Sequence, residues 1–242
     1  MANAHNGLIR SLNAIYLQCE HVHEPKDIKD FVFYIKVWGD TVHHHHHGEE
    51  TNLFPQLDVL ANEAGIPGSP MTANIEQHRE FDKGLHQLNE YSAEILAGTK
   101  QYDSKLVKAY IDGFGPILTD HLHCEIKTLL SLEVCDGAKL KKAFNDMVKG
   151  SFKTAVVVGF LRDALLMVLL IDCYLQSTML PLAFGSWDKT CPGSQNFPVV
   201  PFFVPYMSAY LFSRKYKSVW RFNPCDAWSR PRPLHFLGPE HQ

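Results

Sequence analysis

Six side chains able to ligate a metal recur in this chain in a repeated order. His46 is followed four residues later by Glu50, and His121 four residues later by Glu125. Each pair has a lone histidine upstream, His5 at 41 residues before His46 and His78 at 43 residues before His121. The pattern His…HxxxE therefore occurs twice, with its second copy 75 residues after the first (121 − 46). On an α-helix, positions i and i+4 stack on one face, so each HxxxE aims an imidazole and a carboxylate in one direction. Imidazole offers a neutral nitrogen donor, and carboxylate an anionic oxygen that can bridge two cations. Four histidines and two glutamates facing one another suit a metal site. Without a cation, two carboxylates among apolar stripes would be costly to bury or would be protonated.

The first pair lies at the end of an unusual run, His43 to His47, followed by Glu49 and Glu50. A purification tag would sit at a chain end, whereas this run falls inside a hydrophobic pattern. Five consecutive residues span all sides of a helix, so only two or three can face inward. Taken alone, the run fits a solvated patch as readily as a ligand; the duplicated spacing is what favours a metal. Two registers compete, His45 with Glu49 and His46 with Glu50. The second aligns the apolar neighbours of the two repeats: Val42 with Ile117, Phe54 with Leu129, Leu57 with Leu132. The expected ligands are thus His5, His46, Glu50, His78, His121 and Glu125. Glu49 and His43 are expected beside them, holding ligands in place or moving a proton. His86 and His123 fall one step off the inward stripes and read as surface positions or as supports behind the ligands rather than as ligands.

The elements that must position these groups are helical. Apolar residues recur with helical period from Ala4 to about Glu133. One helix starts at Ala4, a second runs from about Asp27 to Phe54 where Pro55 ends or restarts it, a third starts near Met71, and a fourth near Asp103 with a kink expected at Pro116. The loop signal IPGSP separates the two pairs. The fold class predicted is all-α: an antiparallel four-helix bundle made of a duplicated helix pair. The bundle is assigned to residues 1–150, an apolar helical segment to 151–185, and an arm rich in proline and aromatic residues to 186–242. Within the middle segment, residues 156–171 are strongly apolar but carry Arg162 and Asp163. That is short and poorly suited for a membrane span, and favours a buried or partner-facing helix. In the arm, Trp187, Phe197, Phe202, Phe203, Tyr206 and Trp220 could roof a pocket for a flat, arylated small molecule or cement the arm to the bundle.

Bulk properties narrow the function classes. The 242 residues are 45% apolar and 20% charged, enough for a sizeable core. A net charge of −3 gives no electrostatic case for nucleic acid or an anionic membrane. Six scattered cysteines without a CxxC pair read as reduced thiols, and with no secretory leader they suggest a cytoplasmic protein. No phosphate loop or nucleophile elbow stands out.

With this residue set the chain resembles the hemerythrin-like, HHE cation-binding family over about residues 4 to 133. Marine-invertebrate hemerythrins carry HxxxH on the third helix; here Asp82 stands four residues after His78, which puts reversible oxygen carriage in doubt. The stretches MANAHNGLIR, HHHHHGEE, NLFPQL, VPFFVPY and VWRFNPCDAW resemble a fungal branch of that family that is similar to the cyclopenases of quinolone-alkaloid pathways. That resemblance implies a zinc-dependent lyase contracting a cyclopenin-type benzodiazepinedione to a viridicatin-type quinolone with loss of methyl isocyanate. The alternative it implies is a non-haem protein holding two iron ions and binding or sensing O2, NO or iron.

Overall fold

The structure, a computed structural model, describes residues 1–151 and 173–237. The apolar stretch 156–171 lies outside the described residues. Helices α1 (Ala2–Gln18), α2 (Pro25–Gly48), α4 (Thr72–Leu96) and α5 (Ser104–Ser131) form the bundle; α3 (Phe54–Glu63) and α6 (Gly137–Ser151) follow α2 and α5. Short helices α7 (Cys173–Ser177), α8 (Met179–Phe184) and α9 (Phe203–Tyr210) belong to the C-terminal part. Among the described residues there is no strand, only one isolated bridge between Cys225 and Pro231.

Local chemistry sets the helix limits. Pro25 opens α2, where its missing N–H would have no intrahelical partner. The Asp103 carboxylate caps α5 by accepting from the backbone N–H groups of Lys105 and Leu106. Pro116 lies inside α5 without ending it. Between α2 and α3 the chain makes a π turn over Glu49–Leu53, where the N–H of Phe54 reaches the carbonyl of Glu49 five residues back. Pro55 could not have donated to the Thr51 carbonyl in any case, and the wide turn absorbs that gap before α3 restarts at Phe54.

Neighbouring bundle helices run antiparallel. The start of α1 meets the ends of α2 and α5, and the start of α4 meets the same two ends. The core fills the remaining length with Ile15, Phe31, Ile35, Trp38, Phe81, Leu88, Phe114 and Leu118. Close helix approach needs small residues: a Cβ on Gly84 would lie 2.8 Å from the Cβ of Phe114. A second, smaller core of Leu53, Phe54, Leu57, Leu132 and Ala143 closes the bundle end where the His and Glu residues gather.

The arm extends the main core. Phe222 is fully buried between Phe31 and Phe236, with ring centroids at 4.9 and 4.7 Å. Gln18 donates to the Phe222 carbonyl at 3.1 Å, and Arg221 pairs with Asp27 and Asp30 at 2.6 and 3.1 Å. No helix among the described residues is long and apolar enough to cross a membrane. Cys19, Cys124, Cys135, Cys191 and Cys225 are free thiols.

Candidate metal centre

Four helix ends bring seven donors together. His5 comes from the first turn of α1, His45 and His46 from the last turn of α2, Glu49 from the π turn, His78 from α4, and His121 with Glu125 from α5. His46, Glu49, His78 and His121 offer donor atoms within 4.8 Å of one another, and His5, His45 and Glu49 form a second such group. Glu49 belongs to both. Its Oε1 lies 3.1 Å from His45 Nε2 and its Oε2 3.8 Å from His78 Nε2. Glu125 straddles the groups in the same way, with Oε2 at 3.2 Å from His5 Nε2 and 3.9 Å from His121 Nε2.

The outer nitrogens of three histidines are committed. His5 Nδ1 donates to the Leu122 carbonyl at 2.9 Å, His78 Nδ1 to Glu50 Oε1 at 2.7 Å, and His121 Nδ1 to Gln77 Oε1 at 3.2 Å. With the proton on Nδ1, each Nε2 presents a lone pair to the centre, the arrangement by which proteins orient metal-bound histidines. His78 Nε2 and His121 Nε2 then face each other at 3.0 Å, lone pair against lone pair. Two nitrogens sharing an ion at about 2.0–2.1 Å stand about 3 Å apart, so a cation fits this contact where a hydrogen bond does not.

The remaining inner atoms are buried and without hydrogen-bond partners: Nε2 of His5, His45 and His46, and both oxygens of Glu49 and of Glu125. Unsatisfied buried polar atoms are rare in folded proteins because each costs desolvation without return. Seven such atoms, gathered in two groups that share Glu49, fit a bound cation.

Residues 1–132 match the family described as Hemerythrin HHE cation binding domain. The chain belongs to the hemerythrin HHE cation-binding family. A relative of this HHE protein, named dimeric xanthone biosynthesis cluster protein R11, from Cryptosporiopsis sp. (strain 8999), is 36% identical over 241 residues, 99% of this chain and 82% of the relative. No solved structure matches significantly.

Electrostatics in the HHE centre suit neutral nitrogen donors and a carboxylate in need of a cation. Burial, then neighbouring histidines, hold His45 and His46 well below the ordinary imidazole range. His121 is pushed down to about 3 by burial and then by His78 and His5, and His78 is lowered by burial against the opposing pull of Glu50. Burial, and next the facing Glu125 carboxylate, raise Glu49 well above the usual carboxylate range.

Of the expected ligands, His5, His46, His78, His121 and Glu125 gather at the centre. Glu50 does not: its side chain is 40% exposed and sits behind His78. Glu49, expected beside the ligands, occupies the inward position instead. The reason is angular. At about 100° per residue, Glu49 projects between His45 and His46, about 40° from one and 60° from the other, whereas Glu50 swings to the flank. The apolar alignment that favoured Glu50 fails because the π turn takes up an extra residue, setting Phe54 beneath Glu49. His43 is a second correction: it is exposed, stacks on His47 at 6.3 Å and belongs to neither group of donor atoms. His45, the donor of the disfavoured register, also faces inward, and two adjacent inward histidines require only that the helix seam pass between them. His86 and His123 are exposed.

Two cavities adjoin the centre: one is lined by residues of α1, α2, α7 and α8 together with Ser186 and Trp187, with His45 in its wall, and the other has His46, His78 and Glu50 in its wall. Of the aromatic residues expected to roof a pocket, Trp187 lines the first and Phe197 packs on Trp187 at 4.9 Å. Trp220 is core, donating to the Ser213 carbonyl, while Phe202 and Tyr206 face solvent.

Proposed function

We propose that this protein is a metal-dependent enzyme acting on a flat, arylated small molecule, with zinc as the working ion and ring-contracting lyase chemistry of the cyclopenase type as its reaction class. The observation carrying the metal dependence is the set of seven buried, unpartnered donor atoms gathered in two adjoining groups that share Glu49. Nitrogen and carboxylate oxygen donors are those zinc takes in catalytic sites, and a bound ion would supply Lewis acidity toward a substrate carbonyl. The relative's name places that protein in a biosynthesis cluster, which supports an enzymatic role in secondary metabolism here.

This chain's residues divide the remaining work. His46, His78, His121 and Glu49 would hold the ion, with His5 and Glu125 beside them. Glu50, Gln77 and the Leu122 carbonyl fix the imidazoles that reach it. His45 faces both the cavity and Glu49, and burial keeps its imidazole neutral, so it is placed to complete the ligand set on the cavity side.

A second reading rests on the donor count. Two groups sharing Glu49, with Glu125 also between them, suit two adjacent cations bridged by carboxylate, as in dimetal helical bundles; a pair of iron ions would fill them. Metal content by mass spectrometry on protein purified without a nickel column separates the readings. Zinc without visible absorption, and conversion of a cyclopenin-type substrate without oxygen uptake, is the expected result. Two irons per chain with near-ultraviolet oxo-bridge absorption would replace the lyase by iron or oxygen chemistry, and absence of metal would sink both.

A further inference from the structure

Exposed apolar side chains are scattered singly over the bundle but gather on the arm. Of the ten large hydrophobic residues exposed among the described residues, six fall between Val199 and Leu211. Val199 is 94% exposed, Phe202 80% and Tyr210 65%. Phe202, Tyr206 and Tyr210 recur every four residues along α9 and so share one face. Trp228 packs edge-on against Tyr206 and Tyr210, with centroids at 5.1 and 6.0 Å. Val204, on the opposite face of the helix, is buried in a cluster with Phe184 and Phe212. A helix apolar on its outer face as well as its inner one calls for a second apolar surrounding beyond the protein's own core.

Charge follows the same stretch. Residues 195–237 hold six cations, Arg214, Lys215, Lys217, Arg221, Arg230 and Arg232, against one acid, Asp226, an asymmetry hidden by the net charge of −3 for the whole chain. Asp27 and Asp30 neutralise Arg221. Asp226 accepts from the backbone N–H groups of Trp228 and Arg230. The other five cations are exposed and make no ion pair among the described residues; Lys215 lies over the Tyr216 ring at 5.1 Å.

A depression of about 310 Å³ borders the aromatic face, its wall including Ala209 and Ala227, the chain neighbours of Tyr210 and Trp228. Lys217, Arg221 and Arg232 also line it, and no acidic side chain does. Arg232 is fixed there by donating to the carbonyls of Asn223 and Trp220 at 3.0 and 2.5 Å. Several other polar groups of the wall are committed: Asn223 donates to the Pro181 carbonyl, Ser213 to the Ala209 carbonyl and Trp220 to the Ser213 carbonyl. The Asn223 amide oxygen is itself buried. The positive charge of Lys217 and Arg232 is thus left for a ligand.

An aromatic and aliphatic face beside unpaired cations matches an anionic lipid surface. Tyr and Trp rings settle at headgroup level, Phe and aliphatic side chains enter the acyl boundary without needing a shaped pocket, and lysine and arginine are drawn to anionic headgroups. A second copy fits worse, because symmetric pairing would set the same five cations against one another. We propose that α9 and the turn carrying Trp228 dock on an anionic membrane surface, with Phe202, Tyr206, Tyr210 and Trp228 in the interface and a lipid phosphate seated by Lys217 and Arg232. Docking needs no spanning helix and does not depend on the metal centre.

The test is co-sedimentation of the full chain with vesicles of phosphatidylcholine, with and without about one-third phosphatidylserine. The expected result is saturable binding to the mixed vesicles, weaker by about tenfold or more on phosphatidylcholine alone and in about 1 M salt, where charges are screened within about 3 Å. Phe202→Ser combined with Tyr210→Ser changes only exposed positions and should weaken binding about tenfold or more. Arg214→Glu combined with Lys215→Glu should do the same, and Lys217→Ala should cost about fivefold. Leu130→Ser, exposed on α5, and treatment with a chelator should leave binding unchanged. Brominated acyl chains should quench tryptophan emission, and less so in Trp228→Phe. Absence of binding to the mixed vesicles, full binding by the Phe202→Ser, Tyr210→Ser protein, or equal quenching in Trp228→Phe would overturn the assignment. So would a single-stranded oligonucleotide bound as tightly through the same residues, or a dimer in solution that Tyr210→Ser dissociates.

Discussion

Glu49 and Glu50 are neighbours of identical chemistry in unlike surroundings, and a short variant series separates their roles. Glu49→Gln and Glu125→Gln each remove a charge that faces several imidazoles, and metal content after dialysis is expected to collapse. Glu50→Gln leaves the inner set intact but weakens the anchor of His78, so affinity should fall by about 10–100-fold, as for other partners of metal-bound histidines. His43→Ala should change nothing. Equal losses for Glu50→Gln and Glu49→Gln in competition with a chelator would refute this ordering. The same residues set the pH response of the metal-free protein. His46 and His121 have folded pKa values below the ordinary value of about 6.5, so below that pH the unfolded chain takes up protons that the folded one refuses. Stability is therefore lost as pH falls from about 6.5 toward the folded value of about 3 for His121. Glu49 acts oppositely: its folded pKa is raised, so above about 4.3 the unfolded state sheds a proton that the folded state keeps, costing stability until Glu49 itself ionises. Several histidines against one glutamate put the optimum of the metal-free protein near neutrality. Bound cation should flatten the alkaline limb by supplying the charge Glu49 lacks. Thermal melts from pH 4 to 9, with and without chelator, read both limbs, and an acid limb missing from the metal-free melts would contradict the buried neutral imidazoles.

Helical periodicity makes most of the centre legible in the sequence. His5, His78, His121 and Glu125 sit on apolar stripes that a regular helix must turn inward, and the duplicated spacing ties them together. What periodicity cannot show is a change of period. The π turn at Glu49–Leu53 breaks the 3.6-residue count at the one place where two registers compete, and no residue in EETNL announces it beyond Pro55 downstream. Deletions test this at the level of the element. Removing Asn52 should turn the π turn into an α turn, keep Phe54 and Leu57 inward and shift Tm by only a few degrees. Removing His47 should rotate Glu49 by about 100° relative to α2 and abolish metal binding. Loss of metal in the Asn52 deletion with retention in the His47 deletion would reverse the argument. The arm is legible in composition but not in placement, because Phe222 on Phe31 is a contact across nearly the whole chain that no local pattern encodes.

At the scale of the molecule, the family match ends at residue 132 while the core does not. Phe31, Tyr34 and the end of α1 are covered by Phe222, Trp220 and Phe236 from the arm. Phe222→Ala should cost about 3–5 kcal/mol, a Tm drop of roughly 10 °C for a chain of this size. A fragment of residues 1–132 should bind a hydrophobic dye and fail to melt cooperatively. A cooperative melt from that fragment would show that the arm serves the cavity alone.

His5 lies in the first turn of α1, and the residue before that helix makes no side-chain cap. Helix ends are where local opening costs least. One turn of unwinding would withdraw a single donor and leave the other six in place. Ion exchange in this protein is then a fraying event: the rate at which a chelator strips the metal should be nearly independent of low denaturant, slower when α1 is given a capping residue, and faster by far than global unfolding.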